Sequence, residues 1–220
     1  MISVAIDGPA GAGKSTIARK VSDKMGFIYV DTGALYRAIG YCAILNGINP
    51  KDCSGVSSLL NDIKISLRFK DSKQRVFIGD MDVSDNIRTP EVSMAASDVS
   101  AIPSVREFLL DLQKKLALEN NVIMDGRDIG TVVLPNANIK IFLTASSEER
   151  ARRRYADLKK KDDTIKFQDV LNDIKQRDFN DINRDIAPLK PADDAIIIDT
   201  TGESLEQSVT RLSSLIRERI

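Results

Sequence analysis

The run Gly8-Pro9-Ala10-Gly11-Ala12-Gly13-Lys14-Ser15 has the spacing G-x-x-x-x-G-K-[ST], and the chemistry it supports is the cradling of phosphate. Its glycines let backbone N–H groups converge on phosphate oxygens at a helix N-terminus, where unsatisfied donors and the helix dipole favour an anion. Lys14 adds a point charge for β- and γ-phosphates, the Ser15 hydroxyl is suited to ligate Mg²⁺, and Thr16 continues the loop into the helix. The flanks support the same reading. Ile2 to Asp7 is short, apolar and β-branched, and a helical pattern runs from Lys14 through Met25. The stretch from Gly8 to Thr16 is therefore the expected nucleotide-binding loop.

Such a loop serves switches, mechanical ATPases and small-molecule kinases alike. A GTP switch should carry an Asn-Lys-x-Asp base reader, and no such string occurs. The D-x-x-G match from Asp52 to Gly55 falls in a turn-rich stretch.

Other charged residues fall where strands should end. Asp31-Thr32-Gly33-Ala34-Leu35-Tyr36-Arg37 follows the apolar run Phe27 to Val30, and Asp125-Gly126-Arg127-Asp128 follows Val122-Ile123-Met124. Ligands bind at the carboxyl edge of a parallel sheet, so both segments should face one crevice. Arg37 and Arg127 suit bidentate phosphate contact, and Asp128 can accept hydrogen bonds from an exocyclic amine. Surface ion pairing is the plainer alternative for an isolated Arg–Asp neighbour. Arg177, Asp181 and Arg184 recur at i, i+4 and i+7, one face of a continuous helix, which a solvated ion-paired surface would also produce.

Arg150, Arg152, Arg153 and Arg154 crowd one segment ahead of Lys159-Lys160-Lys161-Asp162-Asp163. A solvated face or a nucleic-acid patch would share this composition. A mobile lid fits phosphoryl transfer better, since guanidiniums closing over the phosphates stabilise charge and exclude water. Arg150, Arg153 and Arg154 are expected to share a face.

These groups need elements to hold them. The 220 residues suffice for one domain with a full core. Strand, loop, helix, strand, helix opens the chain and implies a parallel sheet. After Asn49-Pro50-Lys51-Asp52 the signals turn to β, over Ile63 to Phe69, Arg75 to Ile78 and Met81 to Val83. The last two flank Gly79-Asp80, a glycine-first hairpin turn. Helical patterns follow from Pro90 to Ile102 and from Val105 to Glu119, divided by Pro103. Strands at Ile139 to Leu143 and Ala195 to Ile198, and helices from Ser146 or Ser147, from Phe167 to about Asn183 and from Leu205 to Arg219, complete the pattern. The expected fold is α/β: a parallel sheet of five strands flanked by helices, with a small antiparallel β insert and a helical lid.

Composition sets the outer bounds. Lys plus Arg and Asp plus Glu each count 32, so no global charge points to nucleic acid or an anionic membrane. Histidine is absent, which removes Ser-His-Asp hydrolysis, imidazole bases and His-ligated zinc. Two cysteines, Cys42 and Cys53, argue for a reducing compartment, read as a buried helix residue and a loop residue. No secretory leader or membrane span is visible, so a cytoplasmic monomer is the expectation.

Five motifs in order, Asp-Gly-Pro-Ala-Gly-Ala-Gly-Lys, Asp-Thr-Gly-Ala-Leu-Tyr-Arg, Ile-Arg-Thr-Pro-Glu-Val, Asp-Gly-Arg-Asp-Ile-Gly-Thr-Val-Val and Asn-Arg-Asp-Ile-Ala-Pro-Leu, make the chain resemble the bacterial cytidylate kinases over essentially its whole length. The resemblance implies transfer of the γ-phosphoryl group of ATP, with Mg²⁺, to CMP and dCMP. It puts Thr32, Arg106 and Asp128 around the cytosine, with Tyr36 nearby, Ser97, Arg177 and Asp181 on the sugar side, and Arg37, Arg127 and Arg184 near the phosphates. Lys14, Arg127, Arg153, Arg154 and Arg184 become the candidate catalytic cations. Thr32 departs from the serine often found there but keeps the hydroxyl, and Ser15-Thr16 stands where some relatives have Gly-Thr. The resemblance also divides the chain into a core (about 1–34, 120–147 and 185–220), a monophosphate-binding region with the β insert (about 35–119), and a lid with the helix after it (about 148–184). A P-loop kinase for another small acceptor, and a non-catalytic nucleotide-dependent binding module, remain the alternatives.

Overall fold

The computed structural model describes residues 1–70, 73–160 and 162–220. Five parallel strands form the main sheet: β1 (Ser3–Asp7), β2 (Ile28–Asp31), β6 (Val122–Asp125), β7 (Ile139–Thr144) and β8 (Ile196–Asp199), in the spatial order β2-β6-β1-β7-β8. β1 lies between β6 and β7, with Ile6 opposite both Asp125 and Ile141. Its residues Val4 to Asp7 are buried, as an apolar run in a strand covered on both faces requires. The expected α/β architecture with five parallel strands is therefore observed.

Helices cover both faces of the sheet. On one side α1 (Lys14–Met25) and α8 (Leu205–Arg217) bury Ile17, Val21, Val209, Leu212 and Ile216 against Val4, Ile6, Ile123 and Ile141. On the other, Ala5, Val30, Val122 and Met124 pack with Ala117 of α5 (Pro103–Glu119) and with Ile129 and Val133. A third cluster joins α2 (Thr32–Leu45), α3 (Cys53–Leu59), α4 (Pro90–Val99) and α5 to the antiparallel insert β3 (Ile65–Lys70), β4 (Lys73–Ile78) and β5 (Met81–Asp82). α6 (Ser147–Lys159) and α7 (Phe167–Asn183) pack together around Ala151, Val170, Leu171 and Ile174.

Local chemistry sets the boundaries. Asp31, Thr89 and Ser146 cap α2, α4 and α6 by accepting the N–H groups of Ala34, Val92 and Glu149. Gly79 turns from β4 to β5 at φ 59°, the left-handed conformation that a glycine-first turn requires. Pro103 occupies the first turn of α5 and so opens that helix, while α4 ends earlier than expected, at Val99.

Two expectations need correction, and one turn adds to them. The turn-rich reading of Asp52 to Gly55 misses α3: Asp52 caps it, Val56 and Leu59 are buried, and Cys53 is the exposed first residue of that helix instead of a loop residue. α7 ends at Asn183, where Arg184 takes an extended conformation, so Arg177 and Asp181 share a helical face and Arg184 approaches from the chain beyond it. Between β6 and β7, Ile129–Val133 forms one wide π-type turn that no periodicity in five residues could announce. In the basic run after α6, Lys161 lies outside the described residues.

The phosphate loop leaves β1 through Gly8 at φ 146°, where a Cβ would stand 2.0 Å from the Leu143 carbonyl oxygen. Gly8→Ala should therefore cost about 2–4 kcal/mol, from overpacking plus the strain of a side chain at positive φ. Urea unfolding checks this; a loss below about 0.5 kcal/mol, the scale of a neutral surface change, would refute the packing argument.

Candidate functional site

The loops at the carboxyl ends of β1, β2 and β6 open into one cleft of about 790 Å³. On the donor side, Gly11 and Gly13 take φ of 76° and 87°, and Gly13 starts α1 with no side chain capping the first N–H groups. Lys14 is buried, and its Nζ donates to the carbonyl oxygens of Gly8 (2.7 Å) and Pro9 (2.8 Å). Burial and the neighbouring Arg127 hold its pKa well below the usual lysine value. An anion in the loop would offset both effects.

Asp125, at the end of β6, has a role that the sequence reading did not assign. Its carboxylate accepts from the Ser15 hydroxyl (2.8 Å) and the Tyr29 hydroxyl (2.8 Å). Desolvation, with Asp31 alongside, pushes its pKa up to about 6. A carboxylate and a hydroxyl in contact beside a phosphate loop form a hard oxygen donor pair that fits Mg²⁺. Among the described residues no cluster of three Cys, Asp or Glu could hold a metal alone, so such an ion would take its other ligands from water and phosphate. The available signal was an acidic residue ending a fully buried apolar strand.

The opposite wall is rich in guanidinium groups. Arg37 pairs with Asp31 (2.8 Å) and Arg127 with Asp181 (2.8 Å). Asp128 is held from two sides, by Arg106 and by Arg184 (3.4 Å). Ser100, another residue the sequence reading missed, bridges these two arginines: its carbonyl accepts from Arg106 (3.2 Å) and its hydroxyl from Arg184 (3.2 Å). Arg184 also donates through Nε to the Ala187 carbonyl (2.7 Å), and Ala187 sits at φ 49°, rare for a residue with a side chain. Arg177 differs from the rest. It lines the cleft, its Nε is buried without a partner, and burial together with Arg127 lowers its pKa to about 10.

Most of the sequence-selected residues therefore meet. Ala10 to Thr16, Thr32, Tyr36, Arg37, Ser97, Arg127, Asp128, Arg153, Arg154, Arg177, Asp181 and Arg184 all line the cleft. Gly8 and Pro9 do not line the cleft but hold Lys14 through their carbonyls, and Arg106 stands behind Asp128 with its guanidinium 5.8 Å from the Tyr36 ring centre. The Thr32 hydroxyl donates to the Asp125 carbonyl (2.8 Å), which leaves its lone pairs as acceptors.

The arginine helix divides by role. Arg150 turns inward and is buried, donating to the carbonyls of Ala145 (2.8 Å) and Ala10 (2.8 Å) and to Asp178 (2.6 Å). It shares a helical face with Arg153 and Arg154, as the i, i+3, i+4 spacing predicts, and its guanidinium fastens α6 to α7 and to the loop. Arg152 points outward near Glu149, while Arg153 donates to Glu149 (3.1 Å) and to the Thr200 carbonyl (2.7 Å).

Asp7, at the end of β1, accepts the N–H groups of Ile129 (2.8 Å) and Gly130 (2.7 Å), fixing the turn directly after Asp128. Burial still raises its pKa from 3.8 to about 6. The folded chain thus binds a proton that the unfolded chain has released between about pH 4 and 6, so this group's contribution to stability falls as pH rises. The stability of the unmodified protein minus that of Asp7→Asn should drop by on the order of 2–3 kcal/mol from pH 4 to pH 7. Urea unfolding at both pH values measures the difference; a flat one would contradict the shift.

Comparison with known proteins gives the chain a family. A family model described as cytidylate kinase matches residues 4–218. A cytidylate kinase from Caldicellulosiruptor bescii is 50% identical over 214 residues, spanning 97% of this chain and 95% of that protein. One from Clostridium tetani is 48% identical over 219 residues, spanning 100% and 95%. The crystal structure of an uncharacterized protein from Eubacterium ventriosum superposes with a TM-score of 0.55 at 10% identity over the full length of both chains, a likeness of fold alone. The chain belongs to the cytidylate kinase family.

Proposed function

We propose that this protein transfers the γ-phosphoryl group of ATP to CMP, and also to dCMP, giving the nucleoside diphosphate and ADP. CMP as acceptor and ATP as donor follow from the family. The observation that carries the reading is Arg177, whose Nε is buried without a partner in the cleft wall beside Arg37, Arg127 and Arg184. Such a surplus of cations has a use if a second phosphate docks opposite the loop.

The acceptor needs no general base, because a phosphate monoester with a second pKa of about 6 is already ionised at neutral pH. Catalysis then rests on alignment and charge neutralisation, which Lys14, Arg127, Arg153, Arg154 and Arg184 are suited to supply. Ser15 and Asp125 are the residues that would hold Mg²⁺. When bound with nucleotide, that ion neutralises charge on the β- and γ-phosphate oxygens. The cleft is also where water must be kept from the transferring group. Arg153 and Arg154, on the helix over its mouth, support a lid role for residues of about 148–184, with residues of about 35–119 receiving the monophosphate and the remainder serving as the core.

Base choice is assigned to Asp128. Cytosine presents an N4 amine donor that a carboxylate accepts, whereas uracil would turn its O4 acceptor toward the same oxygens. Arg106 and Arg184 hold Asp128 in place, and Ser97, Asp181 and Arg177 are assigned to the sugar side, from which the Arg177 guanidinium also serves the neighbouring phosphate, with Thr32 and Tyr36 beside the base. A monomer acting in the cytoplasm is part of the proposal. No helix among the described residues is long and apolar enough to cross a membrane.

ADP release measured with CMP, UMP, AMP and GMP tests the whole reading. CMP should give the highest kcat/KM, and another preferred acceptor would overturn the assignment. Asp128→Asn replaces one acceptor oxygen with a donor and should lower the CMP-over-UMP ratio about tenfold or more, since an unpaired polar group then penalises the original base. An unchanged ratio would remove Asp128 as the base reader.

A further inference from the structure

β2 is an edge strand of the main sheet: β6 pairs with it on one side, and among the described residues no strand joins its ladder on the other. At its last residue the free side is nonetheless occupied. The Asp31 N–H donates to the Gln74 side-chain oxygen (2.8 Å), and the Gln74 side-chain nitrogen donates to the Asp31 carbonyl (3.1 Å). Gln74 belongs to β4 of the antiparallel insert, so one primary amide supplies the rung that a neighbouring strand would give and joins the two sheets.

The residue so clasped organises the acceptor wall. The Asp31 carboxylate caps α2 through the Ala34 N–H (3.0 Å) and pairs with Arg37 (2.8 Å). Arg37 lines the cleft and keeps its Nε buried without a partner, so its direction depends on Asp31. We propose that Gln74 is a positioning residue for the acceptor site, acting through the Asp31 backbone to hold Arg37 toward the phosphate of the bound monophosphate. The inference rests on the acceptor reading given under Proposed function. Its reach is specific: the donor loop and Lys14 hang on β1 and α1, and Gln74 touches neither.

A merely structural clasp would lower the melting temperature and leave the substrate constants alone, or degrade them together. A positioning clasp separates them. With CMP and ATP varied independently, Gln74→Ala should raise the KM for CMP about fivefold or more, with the KM for ATP changed by less than about twofold. Gln74→Glu keeps the length and the acceptor for the Asp31 N–H but lacks the donor for the carbonyl, so its KM for CMP should lie between the two. If Gln74→Ala proves poorly folded, the same comparison is made on Gln74→Glu, whose shift must again be confined to CMP. Equal rises in both KM values, or an unaltered KM for CMP, would overturn the proposal. Failure of the unmodified protein to phosphorylate CMP would instead overturn the acceptor reading, so the two failures are distinguishable.

Discussion

Positive charge held against its own repulsion organises this molecule's cleft. Lys14 rests on two loop carbonyls, Arg37 on Asp31, Arg127 on Asp181, and Arg106 and Arg184 share Asp128. Each carboxylate offsets part of the cost of bringing a cation out of water, and a carboxylate shared by two arginines cannot neutralise both. Arg177 stands beside Arg127 with its Nε unpaired, and burial, with Arg127 next to it, holds its pKa below that of a free guanidinium. The fold keeps these groups together because they hang from separate rigid elements: α1, α2, α5, the turn after β6, α7 and the chain just after it. Anionic phosphates are the ligands that relieve such an arrangement.

The supporting contacts repeat one device. A buried polar group on one element takes the backbone groups of another at a point just before or after a functional residue. Asp7 binds two N–H groups next to Asp128, Gln74 binds both backbone groups of Asp31, and Arg150 binds the Ala10 carbonyl in the phosphate loop. Packing of apolar side chains fixes where the strands and helices lie, and these directed bonds then fix the loops that carry the chemistry to finer tolerance.

Much of this was legible in the residues. The phosphate loop combines a fixed glycine spacing with a strand before it and a helix after it, and each of those signals is local. The strand-end charges at Asp31 and Asp125 to Asp128 were found because buried parallel strands read as apolar runs with abrupt ends. What remained hidden depends on contacts between distant residues. Asp125 meets Ser15 across 110 positions, and Gln74 meets Asp31 across 43. Arg150 shares the face that helical spacing gives it with Arg153 and Arg154, but a carboxylate on α7 and a loop carbonyl, which spacing does not show, decide where its guanidinium goes. α3 escaped because its capping aspartate and the preceding Asn49-Pro50 have the composition of a turn, and seven residues are too few for periodicity to outweigh it. Arg184 was placed on a helix that ends one residue before it.

The central claim is that the cleft keeps the Arg177 guanidinium, whose buried Nε has no partner, for the acceptor phosphate, and Arg177→Gln tests it most directly when free-protein stability and CMP affinity are measured together. The account predicts an unfolding midpoint equal to or above that of the unmodified protein, because repulsion with Arg127 is relieved, and a CMP dissociation constant raised about tenfold or more by loss of a charge-assisted contact. A protein that is less stable and binds CMP as before would show that Arg177 serves the fold, and would contradict the account.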